Sequence, residues 1–88
     1  MKCMLIKVND LCRPDHINGR IQTIPCDTYE EAYEQMKKEV LSHVDEKYTE
    51  AVISGIEFTD MYLGEDGARI HKNFGKLNYY WKIVKISG

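Results

Sequence analysis

The closing segment, residues 79–86, constrains the fold more than any other part of the chain, because it has the composition of a β-strand with two apolar faces. Successive side chains of a strand point to opposite sides of the sheet. The segment therefore presents two rows: Tyr79, Trp81 and Ile83 on one side, and Tyr80, Val84 and Ile86 on the other. A sheet that packs against a single layer needs only one apolar face. We expect a helix to cover one row, and a loop or a partner to cover the other.

The sequence leaves open which row faces the helix, and the answer decides where the working surface lies. If the row with Tyr80 faces the helix, the row with Trp81 lies against a loop, a second copy or solvent. A loop would indicate a plain monomer, whereas a second copy or solvent would make that row the interaction surface. We predict an interaction surface formed by this row, two lysines and two acids of the helix: Tyr79, Trp81, Ile83, Lys76, Lys82, Glu30 and Glu34.

One amphipathic helix is predicted at residues 29–45. Thr28 followed by Glu31 fits a capping box, in which the hydroxyl accepts a backbone N–H and the carboxylate reaches back to another. Apolar or aromatic side chains then recur at steps of three and four residues, as on one helix face. They are Tyr29, Ala32, Tyr33, Met36, Val40, His43 and Val44.

The remaining segments favour strands separated by turns. Residues 3–8, 20–24, 61–63 and 68–70 have strand character, residues 51–58 lean the same way around Gly55, and Gly64 to Gly67 bracket a hairpin turn. We predict an α+β fold, with one amphipathic helix packed on a mostly antiparallel sheet of four to five strands in the order β-β-α-β-β-β. The length of 88 residues indicates a single α+β domain spanning residues 1–88.

Composition is that of a small soluble domain, with 43% hydrophobic and 30% charged residues. A chain of this length buries only roughly 60–65% of its unfolded surface, so oligomerisation is a common source of added stability. No run approaches the ~20 apolar residues of a membrane span, and no signal peptide is evident. We expect a cytoplasmic protein without membrane contact. Its three cysteines, an odd number without a C-x-x-C pair, are expected to be free thiols.

The charge is divided between an acidic middle and a basic end. Residues 27–50 hold eight acids against three lysines, and five bases but no acid follow Asp66. Basic and aromatic residues alternate in that end, and exposed sheet aromatics with lysines can stack single-stranded bases. Nucleic-acid binding through Tyr79, Tyr80 or Trp81 is therefore an alternative function. It ranks second because no RNA-binding signature is present and an acidic helix repels phosphate.

The residues that could carry chemistry form no recognised set. Cys12 and His16 could supply two metal ligands, but a structural zinc site needs four. Cys26 precedes the helix start, where the dipole favours a thiolate, and His71 or His16 could serve as its base. No phosphate-binding loop or calcium loop is present. We predict no cofactor, no metal and no enzyme activity, with a small Cys-dependent enzyme as the least favoured alternative.

Three motifs in residues 28–86 resemble those of small uncharacterised α+β proteins of Gram-positive bacteria and their phages. The motifs are Thr28-x-x-x-Ala32-x-x-x-Met36-x-x-Glu39, Asp66-Gly67-Ala68-x-Ile70 and Trp81-x-Ile83-x-x-Ile86. The resemblance implies a helix on a short antiparallel sheet and an origin in a mobile element, and it implies no catalytic residues. The predicted function is a non-enzymatic protein-interaction module that acts as a homodimer. Its more specific version is a modulator of a host protein, encoded by a phage or mobile element.

Overall fold

A computed structural model describes residues 2–11, 20–72 and 77–86 of the chain. Five antiparallel strands form one sheet in the order β2-β1-β5-β4-β3: β1 (Cys3–Leu11), β2 (Arg20–Cys26), β3 (Met61–Leu63), β4 (Gly67–Lys72) and β5 (Leu77–Lys85). Helix α1 (Tyr29–Leu41) follows β2, and a 3₁₀ turn (Glu46–Tyr48) and a short helix α2 (Thr49–Ile53) precede β3. The predicted α+β class is confirmed. The predicted order is matched apart from the second, short helix.

The prediction of strand character at residues 51–58 is wrong, because α2 occupies the start of that segment. Val52 of α2 is fully buried in the core. The helix ends in a Schellman motif, in which Gly55 N–H donates to Val52 O at 3.0 Å and Ile56 N–H donates to Ala51 O at 3.1 Å. Gly55 has a φ of 85°, a conformation that costs glycine little. Gly55 therefore ends a helix here and is not the bulge of a strand.

The N-terminus of α1 confirms the predicted cap with one difference. Thr28 Oγ1 accepts the Glu31 N–H at 3.1 Å, as expected. The Glu31 carboxylate accepts the Asp27 N–H, also at 3.1 Å, which lies one residue before the Thr28 N–H of a standard capping box. The helix ends at Leu41, four residues earlier than predicted, and turns follow.

The central pair of the sheet joins the two ends of the chain. β1 pairs with β5 over nine positions, from Cys3 opposite Lys85 to Leu11 opposite Leu77. Beyond that ladder, Lys2 O accepts the Ile86 N–H at 2.9 Å. The β1–β2 hairpin and the β3-β4-β5 meander therefore meet only through contacts between residues distant in sequence.

The hydrogen bond at Lys2 also sets which backbone groups of β1 face each neighbour. The backbone N–H and C=O groups of successive residues in a strand point in opposite directions. Lys2 and Met4 therefore direct their backbone polar groups toward β5, and Cys3 directs its groups toward β2. Pro25 is opposite Met4 in the β1–β2 register. Its nitrogen, which carries no hydrogen, therefore points outward at the sheet edge, where proline is tolerated.

Both helices lie on one side of the sheet, and the core lies between the two layers. α1 buries Ala32, Met36 and Val40, which recur every four residues along one face. Four strands of the sheet contribute fully or almost fully buried side chains to the same core: Cys3 and Leu5, Leu63, Ala68 and Ile70, and Trp81 and Ile83. The Cα atoms span 40 × 33 × 16 Å, so the molecule is flat.

Candidate functional site

In β5, the row that was predicted to be the interaction surface is the buried row, and the other row is exposed. Trp81 is 3% exposed and Ile83 is 5% exposed, and both lie in the core beneath α1. The other row is exposed to solvent, with Tyr80 at 38%, Val84 at 40% and Ile86 at 39%. The choice of Trp81 and Ile83 as surface residues is therefore corrected. The physical reason is that α1 packs against their side of the sheet.

Tyr79 lies at the edge of this core and forms an aromatic stack with His43, in the turn that follows α1. Its ring centre is 4.5 Å from that of His43 and 6.1 Å from that of Trp81, and both pairs are stacked. Stacked aromatic pairs contribute about 0.5–1.5 kcal/mol beyond the area they bury. Tyr79 thus helps to hold the helix on the sheet and is half-buried rather than free.

A charged pair crosses the same interface between helix and sheet. Lys7 Nζ of β1 donates to Glu39 Oε1 of α1 at 2.7 Å, with the two side chains only 22% and 18% exposed. Gln35 Nε2 donates to the other carboxylate oxygen at 3.1 Å. Burial raises the pKa of Glu39, but the hydrogen bonds from Lys7 and Gln35 and the charge of Lys7 outweigh it and leave the pKa below its ordinary value. Trp81 adds to this lowering, although its indole nitrogen does not reach hydrogen-bonding geometry.

The same surroundings lower the pKa of His43. Burial lowers the pKa of His43, and the ammonium groups of Lys72 and Lys7 lower it further, while Glu39 opposes them. These groups stabilise the fold, and each is engaged by neighbours within the chain. The centre of the inner side of the sheet is therefore occupied by the packing of α1.

The opposite side of the sheet, which we call the open sheet face, is covered by no described helix or strand. Alternation and register place these side chains on it: Met4, Ile6 and Val8 of β1; Ile21, Thr23 and Pro25 of β2; Tyr62 of β3; Arg69 and His71 of β4; and Tyr80, Lys82 and Val84 of β5. Ile86 continues the β5 row. Ile21 is 70% exposed, the highest value among the exposed large hydrophobic residues. Contiguous exposed apolar surface of this kind marks interaction sites.

The charged groups of the open sheet face are drawn toward its β3–β4 side. Lys82 Nζ lies 3.3 Å from Asp66 Oδ2 in the β3–β4 turn. Arg69 Nη2 donates to Phe58 O at 3.2 Å and lies 3.4 Å from Glu57 Oε1. Exposed ion pairs of this kind are worth about 0–1 kcal/mol, so they stabilise little. These contacts hold the charged ends of Lys82 and Arg69 at the β3–β4 side, and the other side chains of β2, β1 and β5 on this face are mostly apolar.

One end of the open sheet face is polar and partly closed. His71 and Asn78 are register partners there, and His71 Nδ1 and Asn78 Oδ1 lie 2.5 Å apart. Asn78 is only 6% exposed. Tyr80 packs edge-on against His71, with ring centres 5.7 Å apart. The accessible apolar part of the face therefore runs from Tyr80 toward Val84 and across β1 to β2.

The remaining residues of the predicted surface are separated from one another. Lys82 lies on the open sheet face, as stated above. Glu30 and Glu34 are exposed on α1, in the layer on the other side of the sheet. Lys76 lies outside the residues that the structure describes. The six described residues of the set therefore do not form one patch, and of these only Lys82 lies on the open sheet face.

The Cys26–His71 version of the Cys-dependent enzyme alternative has no geometric basis. Cys26 lies on the α1 side of β2, whereas His71 lies on the open sheet face of β4, across two intervening strands. Burial raises the pKa of the Cys26 thiol, and the nearby Glu31, Cys3 and Asp27 raise it further. A catalytic thiol needs the opposite shift. His16, the alternative base for Cys26, lies outside the described residues. So does Cys12, which was paired with His16 as possible metal ligands.

In comparisons with known proteins, no family model, curated protein or solved structure matches the chain. Within residues 2–11, 20–72 and 77–86, no three His, Cys, Asp or Glu side chains are placed to hold a metal ion. No helix in that part of the chain has the length and apolar character needed to cross a membrane.

Sequence reasoning missed most of the open sheet face, although one signal was present. The row of β5 that contains Tyr80 also contains Lys82 at its centre, whereas the row with Trp81 has no charge before Lys85. A lysine in the middle of a strand favours the solvent-exposed face of the sheet. On β1 the signal is misleading, because the core-facing row contains Lys7, whose charge is met by Glu39 of the helix.

Proposed function

We propose that this protein is a non-enzymatic protein-interaction module that works as a homodimer, with the open sheet face as its interface. The observation that carries the proposal is the apolar surface of β2, β1 and β5 on the side away from both helices. Ile21, Tyr80 and Val84 are 38–70% exposed there. Leaving such a surface in water is unfavourable by about 25 cal/mol for each Å² that a partner would bury.

The size of the face suits a small symmetric dimer. Strands lie ~4.8 Å apart and rise ~3.4 Å per residue, so five strands of about six residues have a planar footprint of roughly 500 Å². The accessible area is larger than this footprint because side chains project from it. Stable protein–protein interfaces bury about 800 Å² of accessible surface per partner, and weak interfaces bury less than about 600 Å² per partner. We expect a dissociation constant in the micromolar range.

A second copy is the occupant that the face fits best. Two sheets pack face to face at a separation of ~10 Å when both inner faces are apolar. A twofold axis brings the same patch of each copy together, so the apolar strands β1 and β5 meet their own counterparts. Lys82 and Arg69 are paired within the chain toward the β3–β4 side and so need not enter the centre. An 88-residue chain also has a thin core that gains from such burial.

Mass determination and one matched pair of variants test this proposal. Light scattering at about 100 μM protein, well above a micromolar dissociation constant, should give twice the chain mass of 10.3 kDa. Val84→Lys places a charge on the open sheet face and should give a monomer. Ile53→Lys is the matched control, because Ile53 of α2 is 43% exposed against 40% for Val84 but lies on the helix side.

Two results would overturn the dimer: a wild-type monomer at this concentration, or dissociation by Ile53→Lys with none by Val84→Lys. The resemblance to small proteins of Gram-positive bacteria and their phages adds a more specific prediction, that the dimer modulates a host protein. A pull-down from such a host, compared between wild type and Val84→Lys, addresses it. A specific protein captured by wild type and lost with Val84→Lys is the supporting result, and equal capture by both argues against the open sheet face.

The second candidate function is single-stranded nucleic-acid binding, and Tyr80 is the observation that favours it. Tyr80 is 38% exposed beside His71, Arg69 and Lys82, so an exposed aromatic ring lies next to basic side chains on the open sheet face. Tyr79 and Trp81 are engaged with His43 and cannot stack bases. Stacking on one ring is worth about 1–3 kcal/mol per base.

Anisotropy of a labelled single-stranded oligonucleotide at low and moderate salt tests this candidate. Binding should weaken with salt and fall by about tenfold or more in Tyr80→Ala. Tyr48→Ala is the matched control, since Tyr48 is also 38% exposed but lies in the helix layer. Absent or salt-independent binding, or equal loss in both variants, would exclude this role for Tyr80.

A further inference from the structure

Two of the three cysteines face each other across the first hairpin. Cys3 begins β1 and Cys26 ends β2, and the two are direct partners in the antiparallel register. Both side chains point to the α1 side of the sheet, since Cys3 is in the core and Cys26 packs against it. Cys3 is fully buried, while Cys26 is partly exposed. Solvent therefore reaches the pair only at Cys26.

The backbone geometry of this pair allows a disulfide that is under strain. The polar groups of Cys3 point toward β2, which makes Cys3 and Cys26 a hydrogen-bonded pair with Cα atoms ~5.5 Å apart. Disulfides most often join Cα atoms about 5.5–6 Å apart. The Cβ atoms of facing residues are ~4.5–5.5 Å apart, against about 3.8 Å in a disulfide. A hydrogen-bonded pair lies at the upper end of the first range, so the Cβ atoms must approach by about 1.5 Å. This is the last pair of its ladder, where such movement disturbs least.

We propose that Cys3 and Cys26 form a reversible cross-strand disulfide when the protein meets a disulfide oxidant of the glutathione class. The Cys26 thiolate attacks one sulfur of oxidised glutathione, forms a mixed disulfide and releases one glutathione thiolate. The Cys3 thiolate then attacks the Cys26 sulfur and releases the second. The protein loses two hydrogens, and one oxidised glutathione becomes two reduced glutathione molecules. This site is independent of the open sheet face, which lies on the other side of the sheet.

The surroundings of the pair determine how the reaction proceeds. Cys26 reacts first because Cys3 has no exposed surface. Burial and the neighbouring acids raise the pKa of the Cys26 thiol, so the thiolate fraction is small and oxidation is slow. Residual strain in the bond makes it easy to reduce again. These properties are those of a bond that responds to sustained oxidation rather than of a permanent structural disulfide.

Intact-mass measurement on the folded Cys12→Ser protein tests the proposal without interference from the third thiol. Oxidised glutathione should remove two hydrogens from this protein and leave no glutathione attached. The same treatment of Cys3→Ser in that background should stop at a glutathione adduct on Cys26. Cys26→Ser in that background should remain largely unmodified, because Cys3 is buried. The bonded protein should melt about 10 °C higher than its reduced form, since the bond closes residues 3–26 into a loop.

Peptide mapping of the oxidised wild type provides the second readout. A cross-linked peptide joining Cys3 to Cys26, with Cys12 still open to alkylation, is the supporting result. Cross-links that join Cys12 to either partner would overturn the proposal. A stable glutathione adduct on the Cys12→Ser protein, or two free thiols after unfolding it, would overturn the proposal as well.

Discussion

The ion pair between Lys7 and Glu39 offers the sharpest test of how α1 is held on the sheet. Lys7 Nζ lies 2.7 Å from Glu39 Oε1 and 5.8 Å from the centre of the Trp81 ring. We consider three variants: Lys7→Met, Glu39→Met and the double variant. Methionine keeps the length of each side chain and adapts to irregular space, so the changes remove charge with little loss of packing.

The magnitude follows from the burial of the pair. Exposed ion pairs contribute about 0–1 kcal/mol, whereas hydrogen bonds to charged groups contribute about 1.5–3 kcal/mol. With side chains only 22% and 18% exposed, this pair belongs near the lower end of the second range. We expect Lys7→Met to cost about 2 kcal/mol, because Glu39 stays largely out of water without its ammonium partner. We expect Glu39→Met to cost about 0.5 kcal/mol and the double variant about 1 kcal/mol, which gives a coupling energy of about 1.5 kcal/mol.

The pH dependence of this coupling has a definite sign. The folded-state pKa of Glu39 is lower than its unfolded value of about 4.5, because Lys7 and Gln35 outweigh burial. Such a group contributes stability above about pH 4.5 and loses it as pH falls through the folded-state pKa. Without Lys7 the pKa of Glu39 moves upward. Lys7→Met should therefore lose less stability than wild type between pH 7 and pH 3.

Urea unfolding followed by Trp81 fluorescence provides the measurement. All four proteins are compared at pH 7 and pH 3 at one protein concentration, because dimerisation makes stability depend on concentration. Independent sites add within about 0.5 kcal/mol. A coupling below that value at pH 7, or an equal coupling at both pH values, would refute the assignment of this pair as an energetic link between the layers.

Three further predictions concern the core, the helix cap and His43. Met36→Ala should cost about 2–5 kcal/mol in urea unfolding, because Met36 is fully buried, whereas Ile53→Ala, at a 43% exposed position, should cost under about 1 kcal/mol. Thr28→Ala should cost about 1 kcal/mol by removing the acceptor of the Glu31 N–H, and Thr28→Ser should recover most of it. Because the folded-state pKa of His43 is lowered, wild-type stability should fall as pH drops below about 6.5, and His43→Gln should flatten that slope between pH 7 and pH 5.

Local signals in the sequence were sufficient for the elements with regular periodicity. The Thr28 cap and the four-residue spacing of Ala32, Met36 and Val40 predicted α1, and the structure confirms both. The glycines around residues 64–67 predicted the β3–β4 hairpin, which is also confirmed. These features depend on interactions within a few residues, which is why the chain reveals them without its tertiary contacts.

The segment around Gly55 shows where local signals mislead. Val52, Ile53 and Ile56 are β-branched and suggested a strand. In the folded chain Val52 fills the core from a single helical turn, and Gly55 ends that turn with a positive φ. Tertiary burial outweighed a propensity difference that amounts to a few tenths of a kcal/mol per residue.

The sequence by itself determined the α+β class, the helix, and the presence of two apolar rows in the closing strand. Only the tertiary structure decided which row is buried. The rows of β5 differ little in hydrophobicity, so their assignment depends on the β1–β5 register and on where α1 lies, and both are set by contacts distant in sequence. Because side chains alternate across a sheet, covering Trp81 and Ile83 with α1 necessarily turns Tyr80 and Val84 outward. That outward row, with the apolar residues of β1 and β2 beside it, is the surface on which the proposed function rests.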